Sequence, residues 1–203
     1  MAFPPRLAVA SSNPHKLREI ARICSDWPVG WVTAENDPRE WSDVEETGDT
    51  YLENALLKAR AVAAALDLPA VADDSGIEVD ALGGAPGPRS ARYAGEDASD
   101  ERNLHQLIRA LRGIPAGGRT ARYRCVAALA MPDGAEVHAE AVCEGTLIAM
   151  PRGTAGFGYD PIFVPAGWET TMAELTDEQK DRISHRGRAF RTLAELLTGG
   201  SGV

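Results

Sequence analysis

Apolar positions along this chain fall into short blocks, and each block has a recognisable period. Leu7–Ala10 is a short apolar run that reads as a strand. After it, Leu17, Ile20, Ala21 and Cys24 recur at helical spacing, with Asn13 suited to the N-cap and Pro14 to the first helical position. Such a start is expected to leave free backbone N–H groups and a positive dipole end facing the loop. Trp31–Thr33 reads as a second strand. A helix is expected from about Thr50, where Thr50 and Glu53 form a capping box and Leu52, Ala55, Leu56, Ala59, Val62, Ala63 and Leu66 form the buried stripe. Ala70–Ala72 reads as a buried strand ending in Asp73 and Asp74. Ser75-Gly76 is expected to turn the chain there, before Ile77–Ala81 continues as a strand.

The second half continues the pattern. Asp97–Arg112 reads as a helix with Leu104, Leu107, Ile108 and Leu111 on one face, stopped by Gly113 and Pro115. Ala121–Ala130 and Val137–Thr146 flank Pro132-Asp133-Gly134 and predict a long antiparallel hairpin. Thr176 and Gln179 form another capping box, opening a short helix that carries Lys180. Ser184-His185-Arg186-Gly187 is expected to interrupt the helical pattern. A last helix, with Phe190, Leu193, Leu196 and Leu197 inward, runs to Gly199-Gly200.

Composition narrows the function classes. The chain has 203 residues, with 21 basic and 30 acidic side chains and a net charge of −9. That balance makes the surface a poor grip for DNA or RNA, so no nucleic-acid polymer is expected as a partner. A small phosphorylated ligand stays open, held through a metal and a local basic pocket. No run reaches the apolar length of a membrane span, and Met1–Arg6 lacks a secretory pattern, so a cytoplasmic protein is expected. Three widely spaced cysteines, Cys24, Cys125 and Cys143, contain no CxxC pair, which argues against zinc and for reduced thiols. Cys125 and Cys143 lie nearly symmetrically about Asp133-Gly134. They are expected to face each other across the hairpin as small buried residues rather than as a disulfide. No repeat or flexible linker marks a boundary, so residues 1–203 read as one domain or two closely joined lobes.

Several polar groups interrupt these blocks where chemistry is easiest to place. Asp73 and Asp74 are adjacent acids at a strand end, which suits a metal ligand or general base; a solvated Asp-Asp-Ser-Gly turn is the plain alternative. Side-chain alternation points the two to opposite faces unless a turn rotates one. Lys16 sits at a helix start, where a cation is disfavoured unless it serves an anion; otherwise it is a surface lysine. Glu45 and Glu46 end the acidic, irregular segment Glu35–Asp49. Gly153–Pro161 is a glycine-rich loop carrying Phe157 and Tyr159, which either stack on a nucleobase or pack beneath the loop. A late group, Lys180, His185 and Arg186, completes what a Mg²⁺-dependent phosphate-ester site needs. These residues alone reach a phosphate- or nucleotide-handling enzyme.

The same residues carry a resemblance. The pieces are Ser12-Asn13-x-x-Lys16, Glu45-Glu46-Thr47-Gly48, Glu53-Asn54-Ala55, Lys58-Ala59, Ala72–Gly76, Leu82–Gly87 and Ser90–Tyr93. Gly156–Pro161, Ala173-Glu174-Leu175 and Ile183–Gly187 follow. In this order, from about Leu7 to Leu197, the chain resembles the Ham1/RdgB-like inosine triphosphate pyrophosphatases. The resemblance implies an elongated α/β fold with a mixed sheet, two lobes around a central active-site cleft, and a homodimer. It implies Mg²⁺-dependent hydrolysis of ITP, dITP and XTP to the monophosphate and pyrophosphate. It implies that Ser11, Ser12, Asn13, Pro14, His15 and Lys16 hold the triphosphate and that Glu46, or its neighbour Glu45, binds metal with Asp74. Asp74 or Asp73 would act on the attacking water, with Lys16 assisting, and Ser75 would touch substrate. Phe157, Gly158, Tyr159, Asp160, Lys180, His185 and Arg186 would form the base and phosphate pocket. Within it, Phe157 would stack on the purine, and Arg186 or His185 would donate to its 6-oxo group. One departure stands out: the family commonly has Thr-Gly where this chain has Ser11-Ser12, and serine restricts close backbone approach. A Maf-like nucleotide pyrophosphatase and a non-catalytic nucleotide-binding regulator are the competing readings.

Overall fold

The protein is described from a computed structural model, which covers residues 2–37, 39 and 44–199. Parts of the acidic segment Glu35–Asp49, and Gly200 after the last helix, lie outside the described residues. The elements are β1 (Arg6–Val9), α1 (Pro14–Ile23), β2 (Gly30–Val32), α2 (Tyr51–Leu66), β3 (Ala70–Val79), α3 (Asp100–Ala110), β4 (Thr120–Ala130), β5 (Glu136–Leu147), β6 (Phe163–Pro165), α4 (Asp177–Ile183) and α5 (His185–Thr198). The six strands form one mixed sheet in the order β2-β1-β3-β4-β5-β6. β1 is parallel to both β2 and β3, and β5 is antiparallel to β6. The expected α/β class with a mixed sheet is observed. The turn between β4 and β5 is closed by the Met131 N–H donating to the Ala135 carbonyl at 2.8 Å.

Contacts divide the chain into two compact units. The first holds the described residues of Met1–Asp74, Cys125–Ala141 and Arg186–Val203; the second holds Ser75–Arg124 and Val142–His185. In the first unit, side-chain alternation sorts β1 and β3 into two faces. Leu7, Val9 and Val71 pack with Ile20 of α1 and with Phe190 and Leu193 of α5. Ala8, Ala10, Ala70 and Ala72 pack instead against Ala59, Val62, Ala63 and Leu66 of α2. Small residues on that second face let the helix approach closely. In the second unit, Ile77, Val79, Leu107, Leu111, Tyr123, Ile162, Phe163 and Met172 form a separate core.

Local signals hold up where they are self-contained. Thr50 and Glu53 form the expected reciprocal cap, and Thr176 and Gln179 form another. Elsewhere the neighbours decide. Ser75-Gly76 does not turn the chain; β3 runs unbroken from Ala70 to Val79. Beyond Val71, where pairing with β1 ends, β3 continues alongside β4, which overrides the turn preference of Ser and Gly. α3 starts at Asp100 rather than Asp97, because the Ser99 hydroxyl caps it by accepting from the Arg102 N–H. The helical pattern is interrupted as expected, but only at Ser184, the extended C-cap of α4; α5 already opens at His185, so His185, Arg186 and Gly187 are helical. Leu196, expected inward, is exposed. Cys125 and Cys143 do not face each other: each packs in a different core, and both are free thiols, as is Cys24. Among the described residues no helix is long and apolar enough to cross a membrane.

Candidate functional site

The alternation that builds the first unit's core also places its acids. Asp73 follows Val71 onto the face covered by α1 and α5; Asp74 follows Ala72 onto the face covered by α2. Both are buried. Asp73 Oδ2 accepts from Arg186 Nε at 3.1 Å and from Nη2 at 2.9 Å, with Lys16 Nζ 3.5 Å away. The other end of that guanidinium, Nη1, donates to Glu19 Oε2 at 2.5 Å. Burial pushes the Asp73 carboxyl up, but Arg186, Lys16 and Lys58 outweigh it and hold it far below the usual carboxylate range.

Asp74 has a different environment. Its Oδ2 accepts from Asn54 Nδ2 at 3.3 Å, and its Oδ1 lies 3.6 Å from Lys58 Nζ. The same ammonium donates to Glu46 Oε1 at 2.6 Å. Burial raises the Asp74 carboxyl, helped by the nearby Glu46 and Asp73 charges, and Lys58 and Lys16 offset this only in part. Burial alone would lower Lys58, but Asp74, Glu46 and Asp73 keep it firmly protonated. The two adjacent carboxyls are thus shifted in opposite directions, Asp73 down and Asp74 up.

The donor set fits Mg²⁺. Glu46 and Asp74 converge on one cationic group, Lys58 Nζ, so the structure brings together two carboxylate oxygens and a position for positive charge. Mg²⁺ takes few protein carboxylates and fills its remaining positions with water and phosphate oxygens.

The α1 start differs from expectation. Asn13 Oδ1 accepts from the His15 and Lys16 N–H groups at 2.8 and 3.2 Å, and the Leu17 N–H donates to the Asn13 carbonyl. Pro14 has no N–H. The first turn's backbone donors are thus satisfied internally, and the expected free N–H groups are absent there. The dipole end and the Lys16 side chain stay open to an anion.

A second cluster lies within the second unit. Asp160 is buried; its Oδ1 accepts from the Tyr123 hydroxyl at 3.2 Å, and its Oδ2 from the Phe157 N–H at 2.9 Å and Lys180 Nζ at 2.5 Å. Lys180 Nζ also sits 5.0 Å from the Phe157 ring centroid, a cation–π distance. His185 stacks on Tyr123 with centroids 4.6 Å apart and planes 6° from parallel. Tyr159 is buried in the core, and its hydroxyl donates to the Ser90 carbonyl at 2.8 Å. Of the loop's two aromatics, Phe157 is half-buried and Tyr159 is buried and anchors the loop. Gly158 donates its N–H to Asp100 Oδ2 at 3.1 Å. Ser75 is a half-buried β3 residue of this unit.

A family model described as the Ham1 family matches residues 7–196. The chain belongs to the Ham1 family. It is 46% identical over 199 residues to a protein of Geobacillus kaustophilus named dITP/XTP pyrophosphatase, covering 97% of each chain. It is 50% identical over 194 residues to a protein of the same name from Streptomyces coelicolor, covering 95% of this chain and 96% of that one. The solved Ham1 protein of Staphylococcus aureus superposes with a TM-score of 0.83 at 41% identity, over 97% of this chain and all of that one.

Within this Ham1 chain, three residues stand in the first cluster without having been assigned a role from sequence: Glu19, Asn54 and Lys58. Asn54 and Lys58 carry a readable signal, since they are four apart on α2 and form a polar row beside its apolar stripe. Glu19 has none, because its partner is 167 positions away. The second cluster also explains a glycine. Gly156 has a φ of 72°, and a Cβ there would fall 2.1 Å from Asp160 Oδ2 and 3.1 Å from Lys180 Nζ. Gly156→Ala is expected to destabilise the fold by about 2 kcal/mol through strain at that dihedral and loss of the Asp160–Lys180 bond. Urea unfolding of the variant beside the parent measures this.

Proposed function

We propose that this chain is a Mg²⁺-dependent nucleoside triphosphate pyrophosphatase that hydrolyses ITP, dITP and XTP to the monophosphate and pyrophosphate. The observation that carries the reading is the convergence of Asp74 and Glu46 on one cationic position, beside an Asp73 that is already paired with Arg186. The printed names of the relatives, dITP/XTP pyrophosphatases, support the substrate class.

In this reading Glu46 and Asp74 hold Mg²⁺. The chemistry the ion supplies when bound is charge neutralisation on the triphosphate and on the departing pyrophosphate. Asp74, the more basic of the pair, accepts a proton from the water that attacks the α-phosphorus. Asp73 is the counter-charge beside which Lys16 rests before substrate arrives. Lys16 and Lys58 turn their ammonium groups from carboxylates to phosphate oxygens when substrate arrives. Phe157 offers the purine a stacking face, and His185 is the candidate donor to the 6-oxo oxygen. Arg186 is the other candidate, and since its guanidinium is buried between Asp73 and Glu19, it would have to open that pairing to reach a base. The reading carries a homodimer, tested by sedimentation, and a cytoplasmic place of action on the nucleotide pool.

The deciding experiment incubates the protein with ITP and Mg²⁺ and identifies the products. IMP plus pyrophosphate is expected; IDP plus orthophosphate would move the attack away from the α-phosphorus and refute the mechanism. Lys16→Ala tests the phosphate contact. Losing one charge-assisted hydrogen bond of about 1.5–3 kcal/mol should lower kcat/KM roughly ten- to hundredfold. Asp73 retains Arg186, so the melting temperature should change little.

A further inference from the structure

We propose that Asn54 is a positioning residue, tying the acidic loop to Asp74 so that Glu46 and Asp74 address one cation together. The proposal rests on the metal-dependent reading above. Asn54 is fully buried in the first turn of α2. Its Oδ1 accepts from the Gly48 N–H at 2.8 Å, and its Nδ2 donates to Asp74 Oδ2 at 3.3 Å. This orientation of the amide is forced. A flipped amide would set its NH₂ against the Gly48 N–H and its oxygen against a carboxylate, losing both bonds.

The loop needs such a tie. Residues 44–48 have neither helix nor strand to fix them. Glu53 Oε2, one residue before Asn54, accepts the next two N–H groups, of Asp49 at 2.9 Å and Thr50 at 3.0 Å. Three successive loop N–H groups are thus gripped by two successive side chains of α2. The capping box accounts for Glu53. It does not account for a buried amide that also reaches Asp74, twenty positions along the chain. By fixing Oδ2, Asn54 leaves Oδ1 of Asp74 toward Lys58 Nζ, the group that Glu46 also meets. Gly48 belongs to the same device: a Cβ there would fall 2.7 Å from Asn54 Oδ1 and 2.7 Å from Glu53 Cβ.

Two variants test this, Asn54→Ala and Gly48→Ala. The second displaces the amide from the loop side and covers the case in which the first does not fold. Mn²⁺ serves as the probe, with bound ion counted by electron paramagnetic resonance in the presence of inorganic pyrophosphate and no turnover. Loss of a group that orients a metal ligand should weaken Mn²⁺ binding about tenfold or more. ITP kinetics should show kcat falling by a similar factor while KM changes less than about threefold. A side chain that only supported the fold would lower the melting temperature and leave Mn²⁺ affinity where it was. Folded variants with Mn²⁺ affinity and kcat within twofold of the parent would overturn the role of Asn54 and leave the pyrophosphatase reading intact. A parent protein that binds no Mn²⁺ would overturn both.

Discussion

Asp74→Asn is expected to lower ITP turnover by on the order of 10²–10⁴ while the protein stays folded. The amide cannot accept the water's proton, and it is a weaker Mg²⁺ ligand than a carboxylate. Shape and the bond from Asn54 survive the change, since an amide oxygen also accepts. Stability should move in a direction opposite to activity. In the metal-free protein burial raises the Asp74 carboxyl above its unfolded value. A raised acid binds its proton more tightly when folded, so ionising it weakens the fold as pH rises through the shifted value. At neutral pH the neutral amide removes that burden, and the metal-free variant should melt at or above the parent. At a pH below the ordinary carboxylate range both side chains are neutral and the difference should shrink. Turnover and melting curves across pH check both halves. A variant that keeps near-parental turnover would take Asp74 out of the chemistry.

How much of this was legible beforehand depends on how local each cause is. The caps at Asn13, Thr50 and Thr176 were readable because donor and acceptor lie within a few residues. Alternation along β3 was readable too, and it alone implies opposite faces for Asp73 and Asp74 once the strand is continuous. The turn expected at Ser75-Gly76 does not form, because local preference cannot see the neighbouring strand β4. The roles of the loop aromatics could not be separated by composition. What separates them is burial of Tyr159 against Ser90, sixty-nine positions away. The same limit applies to charge. Arg186 and Asp73 are 113 positions apart, and nothing in either neighbourhood announces the partner. A basic residue next to His185 reads naturally as a ligand-binding group. The fold pairs it with an interior carboxylate.

That placement gives the second large effect. Arg186→Met is expected to destabilise the protein by about 3–5 kcal/mol at neutral pH, the usual cost of stranding a buried charge. Methionine restores much of the volume but none of the donors, leaving Asp73 with Lys16 at 3.5 Å and leaving Glu19 without its guanidinium. The pH dependence gives the sign. In the parent, Arg186 and the lysines depress the Asp73 carboxyl, so its contribution is fully present above the unfolded value of about 4. That contribution is lost as pH falls toward the depressed folded value. Removing Arg186 weakens the depression while burial, which raises the carboxyl, remains. The parent should therefore lose more stability than the variant on acidification. The gap between them, measured by urea unfolding, should be wide at pH 7 and narrower at pH 4. Steady-state kinetics on the folded fraction then separates the two roles open to this residue. If Arg186 serves Asp73, the ratio of kcat/KM for ITP over ATP should stay close to the parental value. A stable variant that lost that preference would return Arg186 to the purine pocket and show that its pairing with Asp73 and Glu19 opens when substrate binds.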